Sequence, residues 1–328
     1  MREFSFTSPL QAYIQGLILQ KRSLGYKYDS CARTLFKFDQ FCAACGLVEP
    51  RLTKEVVNAW SCKRPHEAHA TFKNRLVVVR QLGLYIVSLG EQAYVLPKNI
   101  VPRARQYVPY IFSNEELAKI FAKADACHYS PEAPQRQWIM PILFRMLYGC
   151  GLRISEALNL RVRDVDMEIG VLTINDGKLN KSRLVPVSAE LLERCRTYVR
   201  QVHVLSSPDT HFFPAPRDRA VTKGNAYKNF RKFLWQARIS HGGWGKGPRV
   251  HDFRHTFAVH CLRRWVLEGK DLTAYLPILK TYLGHHSFQD TSQYLRLTAE
   301  LYPNITAKVE QEFGGVIPSL EGLSYETN

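Results

Sequence analysis

The chain has 328 residues, enough for two domains, because single hydrophobic cores stop growing at about 250 to 300 residues. Its 45% hydrophobic and 23% charged content is that of a folded protein, which excludes disorder over most of the length. A formal net charge of +16, from 45 Lys and Arg against 29 Asp and Glu, makes polyanions the expected partners. No apolar run reaches the roughly 18 to 20 residues of a membrane span, and Met1-Arg2-Glu3-Phe4 does not open a signal peptide, so no membrane partner and a cytoplasmic location are expected. The eight cysteines then read as reduced thiols.

Residues 1–92 read as a small helical domain. Ser8-Pro9 opens a first helix, with Leu10, Tyr13, Ile14, Leu17 and Ile18 on one face. A second covers residues 30–45 and stops before Gly46, a residue favoured just past a helix end. A short third follows Thr53. A fourth spans about residues 68–89 and sets Lys73, Arg75 and Arg80 among Leu76, Val77, Val79, Leu82 and Leu84. Such a basic amphipathic helix is either a solvated face or a DNA surface, and the surplus of +9 over residues 1–110 favours DNA. Cys42-x-x-Cys45 with Cys62, His66 and nearby His69 has the residue types of a zinc site. Leu35, Phe36, Phe38, Phe41 and Cys42 nevertheless recur at helical spacing, so a buried stripe and no metal is the simpler reading.

Residues 93–110 form a basic linker, in which Pro97, Pro102 and Pro109 stiffen a segment carrying Lys98, Arg103 and Arg105. Those cations could lie along phosphates. A second domain, residues 111–300, begins where Ser113 and Glu116 make a capping box ahead of Leu117, Ile120 and Phe121. Residues 171–174 and 184–187 are β-branched, apolar runs joined by a loop with Lys178 and Lys181, which predicts a hairpin. The remaining pattern is helical, broken by a glycine-rich stretch at residues 242–248. The expected fold class is therefore mainly α with a small β-sheet (α+β). In the tail, residues 301–328, Leu301, Ile305, Val309 and Phe313 recur at helical spacing. From residue 299 onward Lys308 faces five acidic residues, so the segment suits a protein groove better than a polyanion.

Four segments carry phosphate chemistry. In Tyr148-Gly149-Cys150-Gly151-Leu152-Arg153-Ile154-Ser155-Glu156 a glycine pair turns the backbone just before an arginine. The hairpin loop offers Lys178 and Lys181. His251-Asp252-Phe253-Arg254-His255 places His251 and Arg254 three apart on one helical turn. Leu283-Gly284-His285-His286 is followed, nine residues after His285, by Tyr294.

These motifs, in this order, resemble the tyrosine recombinase, or phage integrase, family. The resemblance covers the whole second domain, and the four-helix first domain more loosely matches the family's DNA core-binding domain. It implies that Tyr294 attacks a DNA phosphate, joining the protein to the 3′ end while the 5′ oxygen leaves. Arg153, Arg254 and His285 would stabilise the nonbridging oxygens, since guanidinium is always charged and meets phosphate bidentately. His251 would help to take the proton of Tyr294, a phenol of ordinary pKa about 10 and hence a weak nucleophile. Lys178 would protonate the leaving oxygen, with Lys181 as the alternative that the basic hairpin also offers. Glu156 and His255 would hold these side chains in place. DNA contacts are expected from Lys73, Arg75, Arg80, Arg103, Arg105 and Lys181.

The resemblance further implies no cofactor, double-stranded recombination sites as substrate, and a homotetramer on DNA built by cyclic exchange of the C-terminal tail. Accessory DNA-bending proteins are admitted as partners, and the DNA-bound form would sit at the nucleoid. The expected role is an integrase or transposase of a mobile element. A type IB topoisomerase shares the chemistry, but the compact helical first domain and the tail favour a recombinase. A DNA-binding regulator would need no such set of Arg, Lys, His and Tyr. Two local departures from the family pattern stand out: a long span from Arg254 to His285, and the glycine-rich stretch before His251.

Overall fold

The computed structural model describes residues 4–98, 108–176, 181–217, 219–243, 247–285 and 287–301. It divides at residue 107 into two compact units.

In the first unit, α1 (Gln11–Ser23), α2 (Asp29–Ala44), α3 (Lys54–Trp60) and α4 (His69–Ser88) enclose a core that includes Leu10, Ile14, Leu17, Leu35, Phe38, Trp60, Val79 and Leu82. The ends follow the expected chemistry. Thr53 accepts from the Val56 amide at the start of α3, and Gly46 after α2 has φ of 68°. Ser8 precedes α1 but is pinned from elsewhere, since buried Asp39 of α2 accepts both its amide and its hydroxyl at 3.0 and 2.6 Å. Cys42 is buried in the α2 stripe, as the helical spacing predicts, whereas Cys45 at the end of α2 is exposed and outside it. The unit runs past residue 92: Ala93 bridges Leu52, and Leu96 is buried in the core. One further apolar side chain thus extends the domain into what the prolines alone mark as linker.

The basic face of α4 needs a correction at Arg75. Its side chain is 6% exposed and turns inward, with Nε and Nη2 each 2.9 Å from Glu67 and Nη2 3.1 Å from the Cys62 carbonyl. It also bonds the Trp60 carbonyl and lies over the Trp60 ring. Arg75 therefore ties the α3–α4 connection together and is not on the DNA-facing surface that periodicity suggested. Lys73 is exposed and Arg80 half-buried on the same helix. Arg103 and Arg105 lie outside the described residues.

In the second unit, α5 (Asn114–Asp125) opens with the predicted capping box of Ser113 and Glu116. Next come α6 (Arg136–Gly149), α7 (Ile154–Asn159), β1 (Val165–Asp166), β2 (Val171–Asp176), β3 (Lys181–Pro186) and α8 (Ala189–Val202). The two-stranded pair β4 (Pro214–Ala215) and β5 (Arg219–Ala220) follows, then α9 (Lys223–Gln236), α10 (Asp252–Leu267), α11 (Leu272–Leu283) and α12 (Gln289–Leu301). Strands β1, β2 and β3 make one sheet in that order, with β1 and β2 antiparallel and Val165 opposite Leu172. Lys181 thus begins a strand rather than sitting in the hairpin loop, and Lys178 lies outside the described residues.

The core of this unit packs Phe112, Phe144 and Phe230 around Phe253, so α10 is seated on its aromatic centre. A second cluster joins α10, α11 and α12 through Ala258, Val259, Leu262, Leu279, Leu283, Tyr294 and Leu297. The long span between Arg254 and His285 is the extended C-terminal half of α10, a turn at Gly269 and the whole of α11. Among the described residues no helix is long and apolar enough to cross a membrane.

Candidate active site

The site grows from the glycine turn that ends α6. Gly151 has φ of 58°, and a Cβ there would lie 2.6 Å from the Phe257 ring, so both backbone and space require glycine. The turn aims the Gly151 carbonyl at Arg254 of α10, whose Nη1 donates to it at 2.9 Å. Arg254 Nη2 donates to the Leu283 carbonyl at 2.5 Å, at the end of α11. With 1% exposure, this guanidinium is held by backbone from two other segments. Burial first, and then repulsion from Arg153, lower its pKa to about 10, which still leaves it charged at neutral pH.

Arg153 caps α7 and forms a ring with Glu156 one turn on. Its amide and Nη1 donate to the two carboxylate oxygens at 2.9 and 2.7 Å, and Nη2 donates to the Gly284 carbonyl at 3.0 Å. Glu156 also receives Arg183 of β3, at 3.2 and 2.8 Å, and has Arg254 at 3.8 Å. Burial alone would raise the Glu156 pKa, but the Arg183 and Arg153 hydrogen bonds outweigh it and hold the carboxyl below its usual range. One carboxylate therefore faces three guanidiniums. The group carries a surplus of two positive charges, suited to an anionic phosphate.

Arg183 is absent from the sequence reading. Its Nε donates to the Tyr282 carbonyl at 2.8 Å, which ties β3 to the end of α11. A strand-period signal was there to find, because Arg183 and buried Val185 share one face while Leu184 between them is 67% exposed. Gly284 caps α11 with φ of 64°, and a Cβ there would lie 3.0 Å from Arg183 Nη1. The same turn sets His285 beside α12, where its Nδ1 bonds the Thr291 hydroxyl at 2.8 Å. Burial, followed by repulsion from Arg254 and Arg153, lowers the His285 pKa to about 4.

Tyr294 lies on the inner face of α12, 1% exposed. Its ring stacks on His285 with centroids 5.9 Å apart, and its hydroxyl is 3.1 Å from His255 Nδ1. Burial raises the phenol pKa, and the positive charge of nearby Arg254 opposes that rise. His251 stands at the N-cap of α10 with an exposed ring, its edge against His255 at a centroid distance of 4.7 Å. Its pKa is lowered by packing of the surrounding protein and by Arg254 and Arg153, an effect that water at the exposed ring partly screens. The imidazole that meets the tyrosine hydroxyl is thus His255, not His251 as the motif suggested. One helical turn separates them, and the inward one of the two reaches α12.

The structure therefore gathers Arg153, Glu156, His251, Arg254, His255, His285 and Tyr294 in one place and adds Arg183. A phenol, three imidazoles and fixed guanidiniums at one point are the groups that the resemblance to tyrosine recombinases implies. Residues 112–300 match the phage integrase family. Over 94% of this chain and 98% of its own, a Sinorhizobium fredii protein named integrase/recombinase y4rB is 32% identical. Tyrosine recombinase XerA of Pyrococcus furiosus is 30% identical over 68% of this chain and 70% of its own. In fold, the chain resembles the Tn1549 transposon integrase in complex with a circular intermediate DNA, with a TM-score of 0.63 at 15% identity, covering 88% of this chain and 94% of that one. It also resembles the XerH site-specific recombinase bound to difH substrate in a post-cleavage complex, with a TM-score of 0.61 at 21% identity, covering 86% and 78%. The chain belongs to the phage integrase family and is a tyrosine recombinase.

Proposed function

We propose that the protein is the integrase or transposase of a mobile element, cutting and rejoining DNA at the element's own ends. The observation that carries this reading is the Tyr294 hydroxyl set beside His255 and Arg254, within the group built on Glu156. Tyr294 attacks the scissile phosphorus and forms a 3′-phosphotyrosyl ester. Because that ester keeps the bond energy, a 5′ hydroxyl from a second strand can reverse the step without ATP. Arg153 and Arg254 stabilise the charge that builds on the nonbridging oxygens. His285, whose Nδ1 is committed to Thr291, has Nε2 left for the same oxygens, and the exposed His251 can donate there too. Lys178, or Lys181 in its place, protonates the leaving 5′ oxygen.

DNA contacts come from Lys73, Arg80, Arg103, Arg105 and Lys181. The outer face of α9 joins them, since its exposed residues include Lys223, Tyr227, Lys228 and Arg231, and the helix holds no acidic residue. The acidic tail from about Pro303 docks on a neighbouring subunit, giving a cyclic homotetramer on paired sites, with accessory bending proteins where the site requires them. Reaction takes place in the cytoplasm, at the nucleoid.

Incubating the protein with DNA from the flanks of its own gene and sequencing the junctions tests this reading. Joined element ends, or ends inserted in target DNA, are expected. Relaxation of supercoils with no junctions would instead favour a topoisomerase.

A further inference from the structure

His255 is 8% exposed, one turn along α10 from His251, with Nδ1 3.1 Å from the oxygen that must attack phosphorus. Both Nη atoms of Arg254 already donate to backbone carbonyls, of Gly151 and Leu283, and its charge near the phenol opposes the rise in the Tyr294 pKa. The phenol hydroxyl can donate its proton to an acceptor nitrogen in reach. A neutral imidazole offers one bare nitrogen, and Nδ1 is the nitrogen in reach.

We propose that His255 Nδ1 takes the proton of Tyr294 as the strand is cut and returns it when the strand is rejoined. This rests on the tyrosine recombinase reading above. In cleavage, a lone pair of the tyrosine oxygen forms the new O–P bond and the phenolic proton passes to Nδ1. The P–O5′ bond breaks with its electron pair on the 5′ oxygen, which is protonated from the hairpin lysine. In rejoining, an incoming 5′ hydroxyl attacks phosphorus and gives its proton back to the hairpin lysine, the O–P bond to Tyr294 breaks, and Nδ1–H protonates the departing phenol oxygen. His255 is then a catalytic residue in its own right.

The surroundings suit a proton that moves late. Burial, with His251, Arg254 and His285 around the ring, lowers the His255 pKa to about 3, so before reaction the ring is neutral and its acceptor free. A base this weak takes no proton from a resting phenol. As the O–P bond forms, however, the phenol oxygen becomes an aryl phosphoester oxygen and loses its basicity. The incoming phosphate also places negative charge beside the new imidazolium and stabilises it. His251, with its exposed ring, is left to meet the phosphate.

The test uses full-length protein and a nicked duplex carrying the element end, comparing wild type with His255→Asn, which keeps a hydrogen-bond acceptor but no base. Single-turnover formation of the covalent adduct should slow by about 100-fold or more, with DNA affinity unchanged. Replacing Tyr294 by a fluorinated tyrosine of lower pKa should recover about tenfold in the Asn variant and change the wild type little. Undiminished cleavage by the Asn variant, or the same response to fluorination in both proteins, overturns the proposal. A second arm needs no DNA. Nitrogen-15 spectra of the histidines should show His255 with bare Nδ1, shifting in Tyr294→Phe, and a protonated Nδ1 overturns the proposal equally. Failure of the wild type to form any adduct would count against the recombinase reading, while the spectra still decide the role of His255.

Discussion

Arg183 and Glu156 meet at 2.8 Å across 27 positions of sequence, and this contact fastens the strand after the hairpin to the helix that Arg153 caps. Because Arg183 also holds the Tyr282 carbonyl, the hairpin root, the Glu156 group and the turn before His285 are fixed together. Arg183→Ala leaves a buried carboxylate with one partner fewer, and should cost about 1–3 kcal/mol in urea denaturation. Glu156 is then free to close on Arg254, drawing that cation away from the phosphate. Cleavage should therefore fall more than DNA affinity does, and Arg183→Lys, which cannot bridge bidentately, should recover only part of it. An alanine variant that cleaves at the wild-type rate would remove Arg183 from this account.

The histidines set an acid limit on stability. His255 and His285 have folded pKa values of about 3 and 4, well below the ordinary 6.5. Between those values the unfolded chain binds protons that the folded chain does not. The stability present above pH 6.5 is thus lost as pH falls towards 4. Calorimetry should show the melting temperature dropping over that window. Carboxylates titrate in the same range, so the informative quantity is the difference from His255→Asn, whose drop should be shallower. Parallel curves would mean that His255 is not held neutral.

Lys178 carries the acid role by resemblance alone. Lys178→Ala should lose cleavage of ordinary DNA and regain much of it when sulfur replaces the leaving 5′ oxygen, because a thiolate departs without a proton. Equal loss on both substrates would transfer the role, and Lys181→Ala would then be expected to show the sulfur rescue.

What sequence made legible here was local. Capping chemistry marks α3 and α5, helical spacing marks α2 and α4, and motif order groups Arg153, His251, Arg254, His285 and Tyr294 in one site. The misreadings are tertiary. Arg75 has the helical phase of a surface cation, but Glu67 and two backbone carbonyls of the α3–α4 connection draw it inward. His251 and His255 share one face of α10, and only the seating of α12 decides which of them meets Tyr294. Arg183 ends the basic run that reads as hairpin loop, and its partner Glu156 belongs to another element. Residues 302–328 and Lys178 lie outside the described residues.

For the tail, deletion from Pro303 onward should leave binding to a single half-site intact while abolishing paired-site complexes and strand exchange. Native gels with one and two half-sites separate these outcomes. A truncated protein that pairs sites and recombines them at the full-length rate would show that the segment folds on its own subunit.

Covalent attachment of Tyr294 to DNA is the step on which the proposed function rests. Wild-type protein and Tyr294→Phe are incubated with an end-labelled nicked duplex carrying the element end, denatured, and digested for mass spectrometry. The wild type should yield a peptide whose Tyr294 carries a 3′-linked nucleotide, while Tyr294→Phe should bind the same DNA and yield no adduct. A covalent adduct in Tyr294→Phe, or a wild-type adduct on any other residue, would contradict the account.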